Sequence, residues 1–440
     1  MDFFRHRLLG IAALASMAVA AMAQSGTNSP YSQYGLGVLA DQSQGFNRGM
    51  AGLALGFRNS NQVNTLNPAS YSAVDSLTFL FDMGFSLQNT NFQQGATKRN
   101  AKNGGFEYAV AAFRLARHVG FSFGILPYSN IGYQFYQSGT VRNALSEYSV
   151  TETYQAEPGG VHEVYVGSGW SPLKGLSVGA NVGYLWGNYD KWAVSSYSNA
   201  AISSLSKVYS ANINSYKLDL GLQYTLGIGK ADALTLGVTY GLGHKLGTDV
   251  KASIIKTNAQ TSVADTLTHT VKNGLALPTT WGVGLSYSRA GKWSVGADYT
   301  LQKWGSVDYP AMTDNNATYR LVSGMLRDRH KVTVGGEWVP DVFSRFFLSR
   351  IHYRIGASYT TPYVRVHNAA GALTDGPSEL CISAGFGIPV INTYNNRSLL
   401  NISGQWVRAS AGNGLIKENY LRLNIGITFN ERWFMKWKVE

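Results

Sequence analysis

A regular two-residue alternation of apolar and polar side chains runs through most of the chain after residue 75. In one such segment Lys217, Asp219, Gly221, Gln223 and Thr225 alternate with Tyr216, Leu218, Leu220, Leu222, Tyr224 and Leu226. Successive side chains of a β-strand point to opposite faces, so this period indicates strands that are apolar on one face. Similar alternation recurs within 77–87, 178–186, 281–301, 332–338, 351–359, 400–406 and 421–429. Strands of about 9–11 residues or more with one apolar face suit a tilted crossing of a membrane.

The composition separates a membrane barrel from an ordinary soluble domain. The chain is 12% aromatic, contains 49 glycines and has only 14% charged residues, whereas soluble domains average about 25% charged residues. A secreted β-sandwich or β-helix is the alternative that shares the strand pattern. Because lipid offers no partner to an open sheet edge, membrane strands must close on themselves. We therefore predict an all-β fold, a transmembrane antiparallel β-barrel of about 14 strands, or 16.

The first 23 residues have the pattern of a secretory signal peptide. Arg5 and Arg7 precede an apolar stretch, 8–20, which is followed by Ala21-Met22-Ala23, a small-residue cleavage site. The apolar stretch of roughly 13 residues is short for a membrane-crossing helix, which needs about 20. We expect export, a mature chain that starts at Gln24, and insertion into the cell outer membrane.

Residues 24–74 lack strand periodicity and are rich in Gly, Asn, Ser and Gln. The segment is nevertheless too apolar for a linker, with Leu36, Val38, Leu39, Phe46, Met50, Leu53, Leu55 and Phe57. We predict that it forms a compact N-terminal plug, or hatch, ahead of a barrel that spans 75–440.

Charged residues on the parity opposite the apolar stripe are predicted to face the barrel interior. They are Lys217, Asp219, Asp298, Glu337, His352, Arg354 and Arg422. One interpretation is an ion-pair network that fills the interior. The other is a role in the passage of a ligand or of protons.

The connections between strands predict the orientation of the barrel. Longer irregular insertions are expected near 141–158, 190–208, 245–277, 305–328 and 363–377, as extracellular loops. The short turns "SRAGK" and "LGIGKADA" are expected on the periplasmic side. At the C-terminus we expect "NE" to be a hairpin turn and 432–439 to be the closing strand.

Motifs of catalysis are present only in fragments. "GFSFG" at 120–124 matches a nucleophile elbow but lies inside an alternating strand, whereas that motif requires a strand-to-helix turn. "HEVYV" at His162 lacks a second metal ligand, and "GLGHKLG" lacks the helix that a phosphate-binding loop needs. The single cysteine, Cys381, is expected to be structural. We predict no enzyme activity, metal or cofactor; a hydrolase whose Ser, His and acid are spread over several strands is the alternative.

The junction between plug and first strand resembles the FadL family of outer-membrane transporters for long-chain fatty acids and other hydrophobic compounds. The similarity rests on "YGLGVLADQSQGFNRGMAGLALGFRNSNQVNTLNPASYSAVDSLTFLFDMGFSL", in which Asn67, Pro68 and Ala69 stand where the family has its NPA motif. The resemblance implies a 14-stranded barrel with an N-terminal hatch. It also implies that a hydrophobic ligand enters from outside, binds in the lumen and leaves sideways into the bilayer.

The resemblance makes Asn67, Pro68 and Ala69 hatch candidates, together with Phe46, Leu53, Leu55 and Phe57, which would line or gate the pocket. The family's ligand-binding residues find no counterparts here, so the substrate stays open. The alternatives are an outer-membrane barrel that acts as a structural or interaction partner of a secretion or cell-surface machinery, and a general porin.

The formal charge of +12 fits contact with anionic headgroups better than contact with nucleic acid, which an exported chain rarely meets. Expected partners are the lipid bilayer and lipopolysaccharide of the outer membrane, a hydrophobic small molecule and the barrel-assembly machinery. A monomer is favoured.

Overall fold

A computed structural model of the chain describes residues 26–142, 147–313, 318–368, 371–390, 398–412 and 414–432. Its main element is a closed barrel of 14 antiparallel strands, as the alternating pattern predicts. In chain order they are β1 Thr78–Gln94, β2 Thr97–Ala116, β3 Val119–Arg142, β4 Glu147–Leu173, β5 Leu176–Tyr197, β6 Ser204–Ile228, β7 Asp232–Gly241, β8 Thr280–Arg289, β9 Trp293–Gln302, β10 Arg329–Trp338, β11 His352–Thr360, β12 Ser378–Val390, β13 Ser398–Ser410 and β14 Lys417–Arg432.

The remaining elements are short. The strands outside the barrel are Val38–Leu39, His244–Lys245, Val250–Thr257, Ala264–Val271, Ala276–Leu277, Tyr309–Thr313, Thr318–Val322, Arg365–His367 and Leu373–Asp375. The helical turns are Pro30–Gln33, Gly45–Arg48, Pro68–Ala73, Trp304–Ser306 and Leu348–Arg350. Within the described residues, no helix is both long and apolar enough to cross a bilayer.

Pairing of β14 with β1 closes the barrel, from Thr78 opposite Arg432 to Gln93 opposite Lys417. The expected hairpin turn at "NE" is therefore wrong, because Asn430 and Glu431 are paired strand residues. A ladder this long leaves no room for a turn there. The proposed closing strand lies, apart from Arg432, outside the described residues.

The two faces of the wall divide as the alternation predicts. In β1 the outward Phe85 and Leu87 are exposed, whereas the inward Asp82 and Ser86 are buried. Outward aromatic side chains form two bands. The band at one end of the wall consists of Tyr184, Tyr216, Tyr240, Trp281, Tyr299, Tyr359 and Trp406. The band at the other end consists of Trp170, Tyr224, Tyr287, Trp293, Trp338, Tyr353 and Phe386. Such bands mark the two interfaces of a bilayer. The fold is that of an outer-membrane barrel.

The barrel is much taller on one side. Strands β3 to β6 have 24, 27, 22 and 25 residues, more than twice the length of the ten-residue β7 to β10. The extra length lies at the end opposite the short turns at 174–175 and 229–231, which is the extracellular end. Most of the insertions expected at 141–158 and 190–208 are thus regular strand, because cross-strand pairing continues beyond the apolar band.

Candidate functional site: the barrel interior

The N-terminal segment, residues 26–77, packs against inward side chains of the wall. Asn67 caps the helical turn Pro68–Ala73 by accepting the Ala69 N–H at 3.2 Å. Its amide also donates to the carbonyl of Leu55, at 2.9 Å, and to that of Leu222 in β6, at 3.3 Å. One buried side chain therefore joins two parts of the segment to the wall.

A row of inward glycines receives this turn. Gly120, Gly169, Gly179 and Gly221 lie directly opposite one another on β3 to β6. A Cβ on Gly179 would lie 2.6 Å from the Ala69 nitrogen, and one on Gly169 would lie 2.6 Å from the Pro68 oxygen. The backbone of the segment can approach the wall this closely because the glycines carry no side chain.

The other hatch candidates of the sequence lie along the same segment. Phe46, Met50 and Leu53 form a buried cluster, with Phe57 packed on it. Asp298 of β9 holds the backbone at Ala54 and Leu55, whose N–H groups it accepts at 2.7 Å and 2.8 Å. These side chains pack the segment against the wall.

The structure brings Lys217 and Asp219 together with Glu163. The Lys217 ammonium lies 2.6 Å from the Asp219 carboxylate and 3.1 Å from that of Glu163. Gln42 of the N-terminal segment donates to the same Glu163 at 2.9 Å. Glu163 is absent from the candidates above, although its parity opposite Val164 and Val166 could have identified it.

A second group joins Glu337, His352 and Arg354. The Arg354 guanidinium donates to Glu337 at 2.6 Å and to Asn401 at 2.6 Å, and His352 lies 3.2 Å from Glu337. Five of the seven predicted inward charges thus fall into two separate groups, each with both signs, whereas Asp298 accepts the backbone N–H groups of Ala54 and Leu55. Arg422 donates instead to Gln88 of β1, at 2.7 Å.

The N-terminal segment contributes charges of its own. Arg48 forms a buried ion pair with Glu107 at 3.0 Å and donates to Asn424 of β14 at 3.0 Å. Burial raises the pKa of the Asp41 carboxyl, but the positive charges of Lys331 and Arg48 outweigh this and hold it well below its usual range. Arg48 and Asp41 lie in an aperiodic segment, so no alternation in the sequence could point to them.

A cavity of about 330 Å³ lies between the segment and the wall. Of the candidates from the sequence, Leu55, Lys217, Asp219, Asp298 and Arg422 border it, whereas Phe46, Leu53, Phe57, Asn67, Pro68, Ala69, Glu337, His352 and Arg354 do not. Apolar Leu126, Leu277 and Val407 share the lining with Glu163 and Lys331. The cavity can therefore contact apolar groups on part of its surface and polar groups on the rest.

The wall beside this cavity is interrupted between β2 and β3. The two strands pair only from Ala116 opposite Val119 to Ala109 opposite Ile125. Beyond that point the two-residue strand Val38–Leu39 pairs with Ser129 and Asn130 of β3. Pro127, which has no N–H to donate, lies where β3 leaves the ladder, next to register shifts. We call this interruption the β2–β3 seam.

Aromatic residues cover the extracellular end of the cavity. Trp304 and Tyr363, from the loops at 303–328 and 361–377, lie with ring centroids 4.9 Å apart. The ring of Tyr319 lies 6.0 Å, centroid to centroid, from that of Tyr209 on the tall side of the barrel.

Among the residues that the structure describes, no three His, Cys, Asp or Glu side chains are grouped as around a metal ion.

Comparison with known families settles the relationship. The family model BamG matches residues 6–440, nearly the whole chain. The chain belongs to the BamG family. A sequence comparison with curated proteins gives no match.

Solved structures place this BamG-family barrel among barrels of the FadL type. The toluene transporter TbuX of Ralstonia pickettii is 14% identical, with 89% of this chain and 99% of that chain covered and a TM-score of 0.60. A FadL homologue of Pseudomonas aeruginosa is 12% identical, with 90% and 100% covered and a TM-score of 0.58. The toluene transporter TodX of Pseudomonas putida is also 12% identical, with 89% and 98% covered and a TM-score of 0.55. At these identities the similarity is one of fold, and the FadL-like barrel expected from the sequence is confirmed.

Proposed function

We propose that this protein carries hydrophobic small molecules across the outer leaflet through the cavity and the β2–β3 seam. The seam itself, where the pairing of β2 and β3 stops beside the cavity, supports this route. Glu107 of β2 and Leu126, Tyr128 and Asn130 of β3 border both the seam and the cavity. An apolar solute that leaves the cavity there enters lipid without crossing water, which lowers the free-energy cost of its transfer.

The solved barrels of similar fold support this direction, since TbuX is described as a toluene transporter. The substrate class that we propose is accordingly a small aromatic or aliphatic hydrophobe, with long-chain fatty acids as the larger alternative. The mixed lining of the cavity suits either an apolar body or an apolar tail with one polar end.

The test compares uptake of labelled toluene and oleate by cells that do and do not produce the protein. The variant Ala40→Pro removes the N–H that donates to Tyr128 of β3 at 3.0 Å and so loosens the strand that covers the seam. Its control is Ala201→Pro, in the extracellular turn after β5, where the Ala201 N–H bonds Asn199 instead. We expect protein-dependent uptake that Ala40→Pro changes and Ala201→Pro does not. Equal uptake with and without the protein would contradict transport.

The tall side of the barrel supports a second candidate function, that of an interaction partner in a larger surface machinery. Strands β3 to β6 and the hairpin of Val250–Thr257 with Ala264–Val271 extend the sheet beyond the apolar band. Val263 and Leu267 of this extension are more than half exposed. Diffusion through the lumen does not require a surface of this kind.

Solubilised outer membranes distinguish the two candidates. Removing residues 250–271 joins Asp249 to Lys272, and these ends are close, since the Asn273 N–H donates to Asp249 at 3.2 Å. An interaction role predicts that a stoichiometric partner co-purifies with the full chain and is lost from this variant, while solute uptake is unchanged. Loss of uptake with no loss of partner would favour transport.

A further inference from the structure

A depression interrupts the outer surface of the barrel on the side of β11 to β2. One row of outward positions crosses these strands: Ile355, Ala384, Gly404, Leu423, Leu87 and Gly104. Two of the six are glycine and one is alanine. At Gly404 an added Cβ would meet no atom within 4 Å, so the wall is missing a side chain at a place where lipid would touch it.

The neighbouring row of lipid-facing positions, one step nearer the extracellular end, borders this depression with larger side chains. Ile382, Trp406 and Leu421 lie directly beside one another on β12, β13 and β14. The Trp406 indole donates to Asn419 at 2.7 Å, which fixes the ring at the edge of the groove. The groove has a volume of about 700 Å³, and its lining side chains are mainly apolar.

Positive charges gather at the extracellular end of this groove. Lys102 borders it, Arg408 follows Trp406 two residues further along β13, and Lys98 and Lys417 lie beyond. All four are exposed. None of them forms an ion pair with any residue that the structure describes.

The charge at this place is of one sign. The outward positions on the extracellular halves of β12, β13, β14, β1 and β2 carry no carboxylate. The two acids in these stretches, Glu379 and Glu418, stand on the inward parity and border the cavity. Unpaired cations above an apolar groove match a ligand that has phosphate at one end and hydrocarbon at the other.

We propose that this groove binds a multiply acylated, phosphorylated lipid of the outer leaflet, of the chemistry found in the lipid A part of lipopolysaccharide. Its acyl chains lie over Gly404 between Trp406, Leu421 and Ile382. Its phosphates contact Lys102 and Arg408, and Lys98 and Lys417 lie further towards the extracellular end. The site is on the lipid face and is independent of transport through the lumen.

The test is a titration of the full chain, purified in mild detergent, with bisphosphorylated lipid A, followed by native mass spectrometry. Each cation near a membrane surface is worth roughly fivefold in affinity. Lys102→Gln with Arg408→Gln should therefore bind about 25-fold more weakly. Gly404→Leu, which fills the groove without changing charge, should also weaken binding. The matched control is Lys251→Gln with Lys256→Gln, two exposed lysines on the extracellular hairpin.

Two further lipids decide the outcome. Dephosphorylated lipid A should bind no better to the wild type than to Lys102→Gln with Arg408→Gln, and phosphatidylglycerol should bind more weakly than lipid A. Equal binding of the phosphorylated and dephosphorylated lipids would overturn the proposal, as would equal loss in the hairpin control. Heat-modifiable gel migration shows that each variant is folded, and replacing Gly404 by Ala supplies a milder filling if Leu is not tolerated.

Discussion

Asp298 is the wall residue that holds the backbone of the N-terminal segment at Ala54 and Leu55. Its carboxylate accepts two backbone N–H groups at 2.7 and 2.8 Å, and all three groups are buried in the barrel. Hydrogen bonds to a charged acceptor are stronger than neutral ones, and buried donors that lose their acceptor are costly. A single side chain of the wall thus fixes the position of Ala54 and Leu55, and with them one border of the cavity.

We expect Asp298→Asn to loosen residues 52–58 while the barrel stays folded. The amide oxygen can still accept both N–H groups, which point to the same carboxylate oxygen, but loss of the charge weakens each hydrogen bond by about 1 kcal/mol. Hydrogen exchange of this segment measures the effect. In the control Asp328→Asn, the ion pair lost with Lys303 is partly exposed and should cost less than about 1 kcal/mol. Unchanged exchange at 52–58 would show that the two hydrogen bonds do not hold the segment.

Gly179→Ala is expected to displace the Asn67-Pro68-Ala69 turn. The added methyl group would overlap backbone atoms, which cannot move aside as the end of a flexible side chain can. The readout is protease sensitivity of residues 60–75 in the folded barrel. Gly227→Ala on β6 has nothing within 4 Å of the new Cβ and should leave that sensitivity unchanged. Identical digestion of both variants would contradict the close contact.

At the scale of elements, the β2–β3 seam distinguishes this wall from an uninterrupted ladder. Each of the other neighbouring strand pairs, β14 with β1 included, is joined by hydrogen-bonded rungs over most of the shorter strand. Between β2 and β3 the rungs stop at Ala109 and Ile125. Extended strands whose edges lack partners separate readily, and this is the place where the wall can open with the least loss of hydrogen bonds.

Cysteine pairs provide a test of the seam in a Cys381→Ser background. Ala111 and Phe123 face each other across a rung, so their replacement by cysteine should give a disulfide on mild oxidation. Gly105 and Tyr128 both belong to the inward face and would lie opposite each other if pairing continued past the extra residue at Glu107, but they lie beyond the last rung. Cysteines there are expected to stay reduced. Efficient cross-linking of the second pair would mean that the wall is closed.

At the scale of the whole molecule, the closed ladder and the contents of the lumen make different contributions. Closure by β14 and β1 satisfies the edges that lipid would leave without partners. The N-terminal segment packs against inward side chains of this wall, and a cavity of about 330 Å³ lies between them. This arrangement argues against the general porin among the alternatives.

We expect the intact protein to show little conductance in planar bilayers. A variant that lacks residues 27–74 should show roughly tenfold more or higher, because an unplugged barrel of this strand number leaves an aqueous lumen. Heat-modifiable migration confirms that the variant is folded, and the variant without 250–271 serves as the deletion control. If that truncated barrel does not fold, Asp298→Asn combined with Gly179→Ala offers a gentler opening. Equal conductance of wild type and plug variants would show that the segment does not seal the lumen.

The sequence alone predicts a barrel of 14 or 16 strands and the side that the residues of its alternating segments face. Alternation is a local property, and lipid on one face enforces it residue by residue. The inward position of Lys217, Asp298 and Arg354 follows from parity alone.

Tertiary structure decided what the inward residues contact. The association of Glu163 with Lys217, the ion pair of Arg48 with Glu107 and the seam beside Pro127 depend on which strands meet across a closed sheet and on how an aperiodic segment folds inside it. Such contacts join residues far apart in the chain, and no periodicity records them. The long strands β3 to β6 were not predicted for a related reason, since beyond the bilayer there is no lipid to impose an apolar outer face.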